Sequence, residues 1–351
     1  MAEKSFVAPD RAPYRRGMAI DVRALDLDDE EELRAFHEMT RRSDMEDGRE
    51  WNRNWMYDEM LSTFLEPDAT ERVEACVAHL DGRLLAGAVH YFPLLDNTQK
   101  TWLELYVDPA ARRRGLGSAV MSWAVDGARA AGRTQLTAET SYPFSLRDTA
   151  PALLFARRHG FRLANTEIHR KLLVPLPDGL LDEIEAEAAP HHTGFTFESF
   201  VGRVPDALIA SFCALTNKLA VDAPGGEFGW EEESLTPEIL RENERKMAAI
   251  GRSRYSTVAV REGRVVALTD LVVTKGEHRA SQWYTIVDRD VRGHRLGAAV
   301  KAVNLRQVLA AHPEITEVHT TNAETNANMV GINERLGFQP IALCPGFLRD
   351  L

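Results

Sequence analysis

Two stretches of this chain spell nearly the same phrase. Residues 107–117 read VDPAARRRGLG and residues 287–297 read VDRDVRGHRLG. Each follows an apolar run suited to a strand, TWLELYV or SQWYTIV, and each opens an alanine-rich helical pattern. A Gly-Phe pair follows each, Gly160-Phe161 and Gly337-Phe338. Val107 and Val287 stand 180 positions apart, and Phe161 and Phe338 stand 177 apart. Register kept over so much chain points to duplication of one folding unit. A strand, an Arg/Gly-rich turn and a helix N-terminus together make a ready anion site.

The 351 residues suit two units rather than one core. The expected boundaries are a flexible tail at 1–17, a first unit at 18–174, a linker at 175–193 and a second unit at 194–351. No apolar stretch approaches the roughly 18 residues that span a bilayer, so no membrane partner is expected. The N-terminus lacks the apolar core of a signal peptide. Three scattered cysteines (Cys76, Cys213 and Cys344) do not form a disulfide framework, which fits a cytoplasmic protein. Eleven histidines show no zinc-type spacing, so no metal is expected. A formal charge of −11 argues against nucleic acid, whose phosphates need a basic face. It is compatible with a small cationic partner steered by an acidic rim, or with solubility alone. Either a monomer or a homodimer is compatible with this composition.

Hydrophobic periodicity gives the first unit the order β-α-(α)-β-β-β-α-β-α-β, with Asp81-Gly82 as a hairpin turn. The segment PLPDGLLDEIEAEAAPHH has proline near both ends and carries a short helix. The same order then restarts, with a hairpin at Glu262-Gly263. The second unit ends soon after Phe338, so its last strand is expected to be short or missing. Each unit should be a mixed sheet with helices on both faces.

The pattern Arg112-x-x-Gly115-x-Gly117 after Val-x-Pro resembles the acyl-CoA signature of the GCN5-related N-acetyltransferases, the GNAT superfamily. Glycines there let backbone N–H groups close on a pyrophosphate, and arginines add charge-assisted contacts. The resemblance covers both halves, in a layout similar to that of tandem GNAT proteins such as mycothiol synthase. It implies an α/β (α+β) fold of two tandem GNAT units, each a mostly antiparallel sheet with a splayed pair of parallel strands. It also implies acetyl-CoA as co-substrate and direct acetyl transfer to a primary amine. By position, the first CoA segment comprises Leu105, Tyr106, Val107, Arg112, Arg113, Arg114, Gly115, Leu116, Gly117 and Ser118. The second comprises Ile286, Val287, Arg292, Gly293, His294, Arg295, Leu296 and Gly297, with Asn322 and Asn326 further along. Arg295 stands where the first copy has Gly115, as an extra phosphate ligand or an obstruction.

The family's thiol-protonating tyrosine is Ala156 in the first half and Asn333 in the second. Its pantetheine-contacting asparagine is Thr149 in the first half and Asn326 in the second. The catalytic candidates carried over are Glu104, Tyr284 and Asn333. Glu104 serves as a base for the amine, or else stands on a solvated strand face. The segment VDAPGGEFGWEEES matches the family's acceptor loop, which makes Asp222, Glu227, Trp230, Glu231 and the strand residue Gln282 substrate candidates. Its first-half counterpart, DMEDGREWNRNWMYDEM, sets Trp51 and Trp55 at helical spacing, with core packing as their alternative role. Asn326 and the acidic loop favour the second half as the catalytic one, while the first loop is the closer CoA match. The alternative from another class is a non-catalytic acyl-CoA-binding pair.

Overall fold

The computed structural model describes residues 20–45, 51–52 and 55–351. The expected tail at 1–17 lies outside the described residues, as does part of the first acceptor segment.

The first half runs β1 (Ile20–Ala24), α1 (Glu30–Met45), α2 (Tyr57–Leu65), β2 (Glu71–Leu80), β3 (Arg83–Pro93), β4 (Lys100–Val107), α3 (Leu116–Ala130), β5 (Gln135–Glu139), α4 (Pro151–Arg158) and β6 (Arg162–Leu173). Helix α5 (Leu180–Ala188) occupies the expected linker. The second half runs β7 (Thr196–Val201), α6 (Ile209–Thr216), α7 (Leu219–Asp222), α8 (Pro237–Ala249), β8 (Arg252–Arg261), β9 (Arg264–Thr274), β10 (Arg279–Val287), α9 (Leu296–Ala311), β11 (Glu317–Ala323), α10 (Ala327–Leu336) and β12 (Gln339–Asp350). Local chemistry sets these elements. Asp81 and Gly82 turn the β2–β3 hairpin with φ of 54° and 71°, the left-handed pair such a turn requires. Thr236 caps α8 by accepting from the Ile239 amide, with Pro237 at the first helical position.

All the strands join one 12-stranded sheet in the order β1-β2-β3-β4-β5-β12-β6-β11-β10-β9-β8-β7. Strand β12 is 12 residues long, which corrects the expectation of a short or missing last strand. The two halves have exchanged their closing strands. Strand β6 has both of its neighbours, β11 and β12, in the second half, while β12 lies between β5 and β6 of the first. Each half therefore completes the other's core. Leu343 and Phe347 of β12 are buried with Leu103, Leu116, Val120 and Leu136 under α3. Leu172 of β6 is buried with Leu305, Val308 and Val318 under α9.

On the opposite face, α1 and α2 cover Val77 and Val89 with Phe36, Met39 and Met60. Helices α6 and α8 cover Val258 and Leu268 in the same way, with Phe212 and Leu240. Among the described residues the only parallel pairs are β4–β5 and β10–β11. The first stops at Leu103–Ala138 and the second at Ser281–His319, so the strands part beyond those points.

Candidate functional site

Each splay opens beside an Arg/Gly turn. In the first turn Asp108 accepts from the Ala110 amide, and Gly115 sits at φ 93° as the residue before α3. Gly117 is a glycine by proximity: a Cβ there would stand 3.3 Å from the Phe155 ring and 3.4 Å from Val107. The first-turn amides of α3 have no intrahelical partner, and the buried Leu116 anchors the helix start. Ser118 Oγ lies 3.1 Å from His159 Nε2. Arg113 and Arg114 are exposed. Arg114 comes no nearer to a carboxylate than 4.0 Å, to Asp81, and Arg113 has no acidic partner among the described residues.

The second turn is built alike but charged differently. Asp288 repeats the Asp108 contact, and Arg295 takes the left-handed conformation of Gly115 at φ 53°. Arg289 and Arg292 both bind the carboxylate of Asp222, whose side chain is only 5% exposed. His294 Nδ1 meets the His191 carbonyl at 2.7 Å, and Arg295 approaches Glu187 at 3.9 Å. The cations of this turn are already matched by carboxylates of the same chain.

The splays differ in the same sense. Beside the first, Glu104 of β4 accepts from the Tyr106 hydroxyl at 2.8 Å and from Tyr91 at 3.5 Å. Burial holds the Glu104 carboxyl above the usual carboxylate range, against the effect of those two bonds. Glu71 is pushed up to about 7 by burial, with repulsion from Asp68 and Glu104. Glu139, at the end of β5, is pushed up to about 8 by the protein around it and by Glu167 and Glu104. Its side chain nevertheless remains open to solvent.

Beside the second splay, β10 bulges so that Trp283 and Tyr284 together oppose Asp270 of β9. Gln282 seals the bulge, its amide nitrogen donating to the Asp270 and Tyr284 carbonyls and to Thr269 Oγ1. Asp270 is fully buried, raised by burial, and answered by Arg254 and Ser256. Among the described residues the first site is thus a carboxylate cluster with no cation paired to it, and the second is internally neutralised.

Residues 71–163 match the model of the GNAT acetyltransferase domain. A tandem GNAT protein from the clavulanic acid biosynthesis pathway, solved without AcCoA, superposes with a TM-score of 0.77 at 25% identity, over 95% of this chain and 98% of its own. Residues 71–163 are thus a GNAT domain, and the chain as a whole has the fold of a tandem GNAT protein. A GCN5-related N-acetyltransferase from Sphaerobacter thermophilus shares the fold at a TM-score of 0.64 and 17% identity, over 94% of this chain and 95% of its own. The Saccharomyces cerevisiae N-myristoyltransferase, solved with bound myristoyl-CoA, does so at 0.56 and 13%, over 98% of this chain and 81% of its own. A search of curated proteins gives no match. The general chemistry of the GNAT fold is acyl transfer from acyl-CoA.

Within this fold, the residues expected to contact an acceptor do not form one pocket. Asp222 holds the second loop's arginines instead. Glu227 pairs with Arg162 at 3.0 Å. Trp230 stacks on Phe228 at 5.0 Å and lies over the buried Lys100 ammonium, and the Glu231 carboxylate accepts from the Asn97 amide. The second half's acceptor segment therefore docks on the first half. A Cβ at Gly226 would stand 2.0 Å from the Ala164 carbonyl oxygen, so the approach needs glycine. Gln282 is buried in the bulge and is not presented to a substrate.

Asn326 caps α10 by accepting from the Met329 amide. Asn322 and Asn333 are buried and bonded to each other at 3.0 Å. An amide in that setting cannot supply the missing thiol acid. Trp51 and Trp55 lie outside any helix, Trp51 donating to Ser141 Oγ and Trp55 packing on Phe64.

Sequence reasoning missed Glu71, Tyr91, Glu139 and Glu167. Glu139 could have been found by noting that it ends the strand paired beside Glu104.

Proposed function

We propose that the chain is an acetyl-CoA-dependent N-acetyltransferase for a small cationic amine, and that turnover takes place in the first half. The observation that carries this reading is the contrast between the loops: Arg113 and Arg114 are open, whereas Arg289 and Arg292 are held by Asp222. It reverses the preference that Asn326 and the acidic loop gave to the second half.

The fit of CoA to the first half is chemical. Left-handed Gly115, the unpaired amides opening α3 and three consecutive arginines suit a pyrophosphate. The backbone of β4 beyond Leu103 is free of β5, which leaves edge groups of Glu104–Val107 for an extended pantetheine chain. Acetyl-CoA supplies the thioester. The protein supplies position and proton transfer. An ammonium entering between Glu71, Glu104 and Glu139 relieves their mutual repulsion. Ionised Glu104, oriented by Tyr91 and Tyr106, then accepts the proton that the amine must lose before attack.

Thiol release from acetyl-CoA with a panel of primary amines, in wild type, E104Q and Y284F, tests the assignment. Loss in E104Q with retention in Y284F is expected. The reverse pattern would move turnover to the bulged second half.

A further inference from the structure

Two cations stand at equivalent places in the two halves, and each reaches across to the other half. Lys100 opens β4 and faces Gln135, the first residue of the parallel strand β5. Arg279 opens β10 and faces Glu317, the first residue of β11. Lys100 Nζ donates to the Gly229 carbonyl, in the second half's acceptor segment, at 3.1 Å. Arg279 Nη1 donates to the Trp51 carbonyl at 3.2 Å and to the Asn52 carbonyl at 3.4 Å, both in the first half's acceptor segment.

The two segments differ in what else holds them. The one on Lys100 is fastened to the first half at further points. Asn97 and Glu231 exchange two hydrogen bonds, Ser234 bonds to Asp96, and Asn165 donates to the Pro224 carbonyl. The one on Arg279 runs to the first half's own site. Trp51 Nε1 donates to Ser141 Oγ at 2.9 Å, and Ser141 Oγ donates to Asn52 Oδ1 at 2.7 Å. Ser141 lies two residues beyond Glu139, on the chain leaving β5. Trp51 and Asn52 are therefore tied on one side to the second half and on the other to the chain that carries Glu139.

Arg279 is itself held in place. Its Nε donates to Glu317 Oε1 at 3.0 Å, and Nη2 stands 3.0 Å from the same oxygen. A guanidinium gripped along that edge by a carboxylate presents Nη1 in a fixed plane, which a lysine ammonium cannot do. Two successive carbonyls on one nitrogen fix the peptide between them.

We propose that Arg279 is a positioning residue for the acceptor: through Trp51 and Asn52, the second half sets the wall against which the amine binds beside Glu139. This rests on turnover in the first half, and it gives the second half a part in that turnover without chemistry of its own. The CoA turn opens α3, which covers the other face of the sheet from α1 and α2. Loss of Arg279 therefore weakens amine binding and spares the cofactor.

The test compares wild type, R279Q, R279K and S141A in the full chain. The measurements are thiol release with the most active primary amine of the panel, calorimetric titration with acetyl-CoA, and urea unfolding. R279Q should raise KM for the amine about tenfold, with kcat and the acetyl-CoA Kd within about twofold of wild type. R279K keeps the charge but not the fork and should recover only part of the loss. S141A frees the segment from its other side and should raise KM in the same way, so it decides the matter if R279Q folds poorly. An unchanged KM in R279Q and S141A would overturn the proposal, as would KM, kcat and acetyl-CoA affinity worsening together. E104Q separates the two failures. If E104Q stays active, or no amine of the panel is turned over, the reading of the first half fails and the proposal with it. If E104Q is inactive and R279Q leaves KM unmoved, the clamp alone fails.

Discussion

Replacing Asp222 by alanine should open the second phosphate loop. Asp222 is a nearly buried carboxylate, whereas its partners Arg289 and Arg292 have side chains 65% and 49% exposed. Pairs so open to water contribute only about 0.2–1 kcal/mol each, so the fold should lose no more than about 2 kcal/mol. The effect on binding is larger in proportion. Two released guanidinium groups beside a helix N-terminus can each make a charge-assisted phosphate contact. Discounted for exposure, the pair is worth about 1–2 kcal/mol, or roughly 5- to 30-fold in affinity. Calorimetric titration with CoA at low salt should show one site in the wild type and a second, weaker, salt-sensitive site in D222A. A variant that still shows one site of unchanged affinity would refute the idea that Asp222 latches this loop.

Other changes probe the first site and the strand exchange. E104Q should lower kcat by about 10²- to 10⁴-fold with little change in KM, as measured by thiol release. A Glu139 carboxyl pushed up to about 8 is uncharged where Glu104 ionises, so E139Q should leave the rising limb of kcat/KM unmoved. The same variant tests linkage. A carboxyl raised to about 8 in the fold keeps a proton that the unfolded chain releases in the ordinary carboxylate range. Its contribution to stability is therefore lost as pH rises toward 8, and urea midpoints at pH 5 and pH 8 should diverge less in E139Q than in wild type. Deleting residues 339–351 removes buried Leu343, Phe347 and Leu348 from the first half. At about 1.5–3 kcal/mol each this costs about 5–9 kcal/mol, against about 5–15 kcal/mol for a whole domain. The truncated chain should lose cooperative unfolding in both halves. An unchanged circular-dichroism melt would contradict the exchange.

Much of the fold was legible because the signals were local. The Asp81-Gly82 and Glu262-Gly263 turns depend on residues next to one another, and the structure has each where they indicate. The exchange of β6 and β12 was not legible. A strand pattern reports which side chains face a core, not whose core it is. The PIALCPGF stretch carries two prolines, which central strands ordinarily exclude. It is accommodated through register shifts at Pro340 and Gly346.

At the site, the loop glycines were readable because they sit in one contiguous turn. The acceptor candidates were not, because Asp222, Glu227, Trp230 and Glu231 share a sequence segment but serve different partners. The carboxylates that do converge, Glu71, Glu104 and Glu139, come from three separate strands. Only their pairing brings them together.

The central claim is that CoA is held by the first loop and not by the second. It is tested most directly by the stoichiometry of acetyl-CoA binding to wild type and to G115D, in which a carboxylate is set against the phosphates at a position with φ 93°. One equivalent bound by the wild type and none by G115D is the predicted result. Two equivalents in the wild type, or one equivalent retained by a folded G115D, would contradict it.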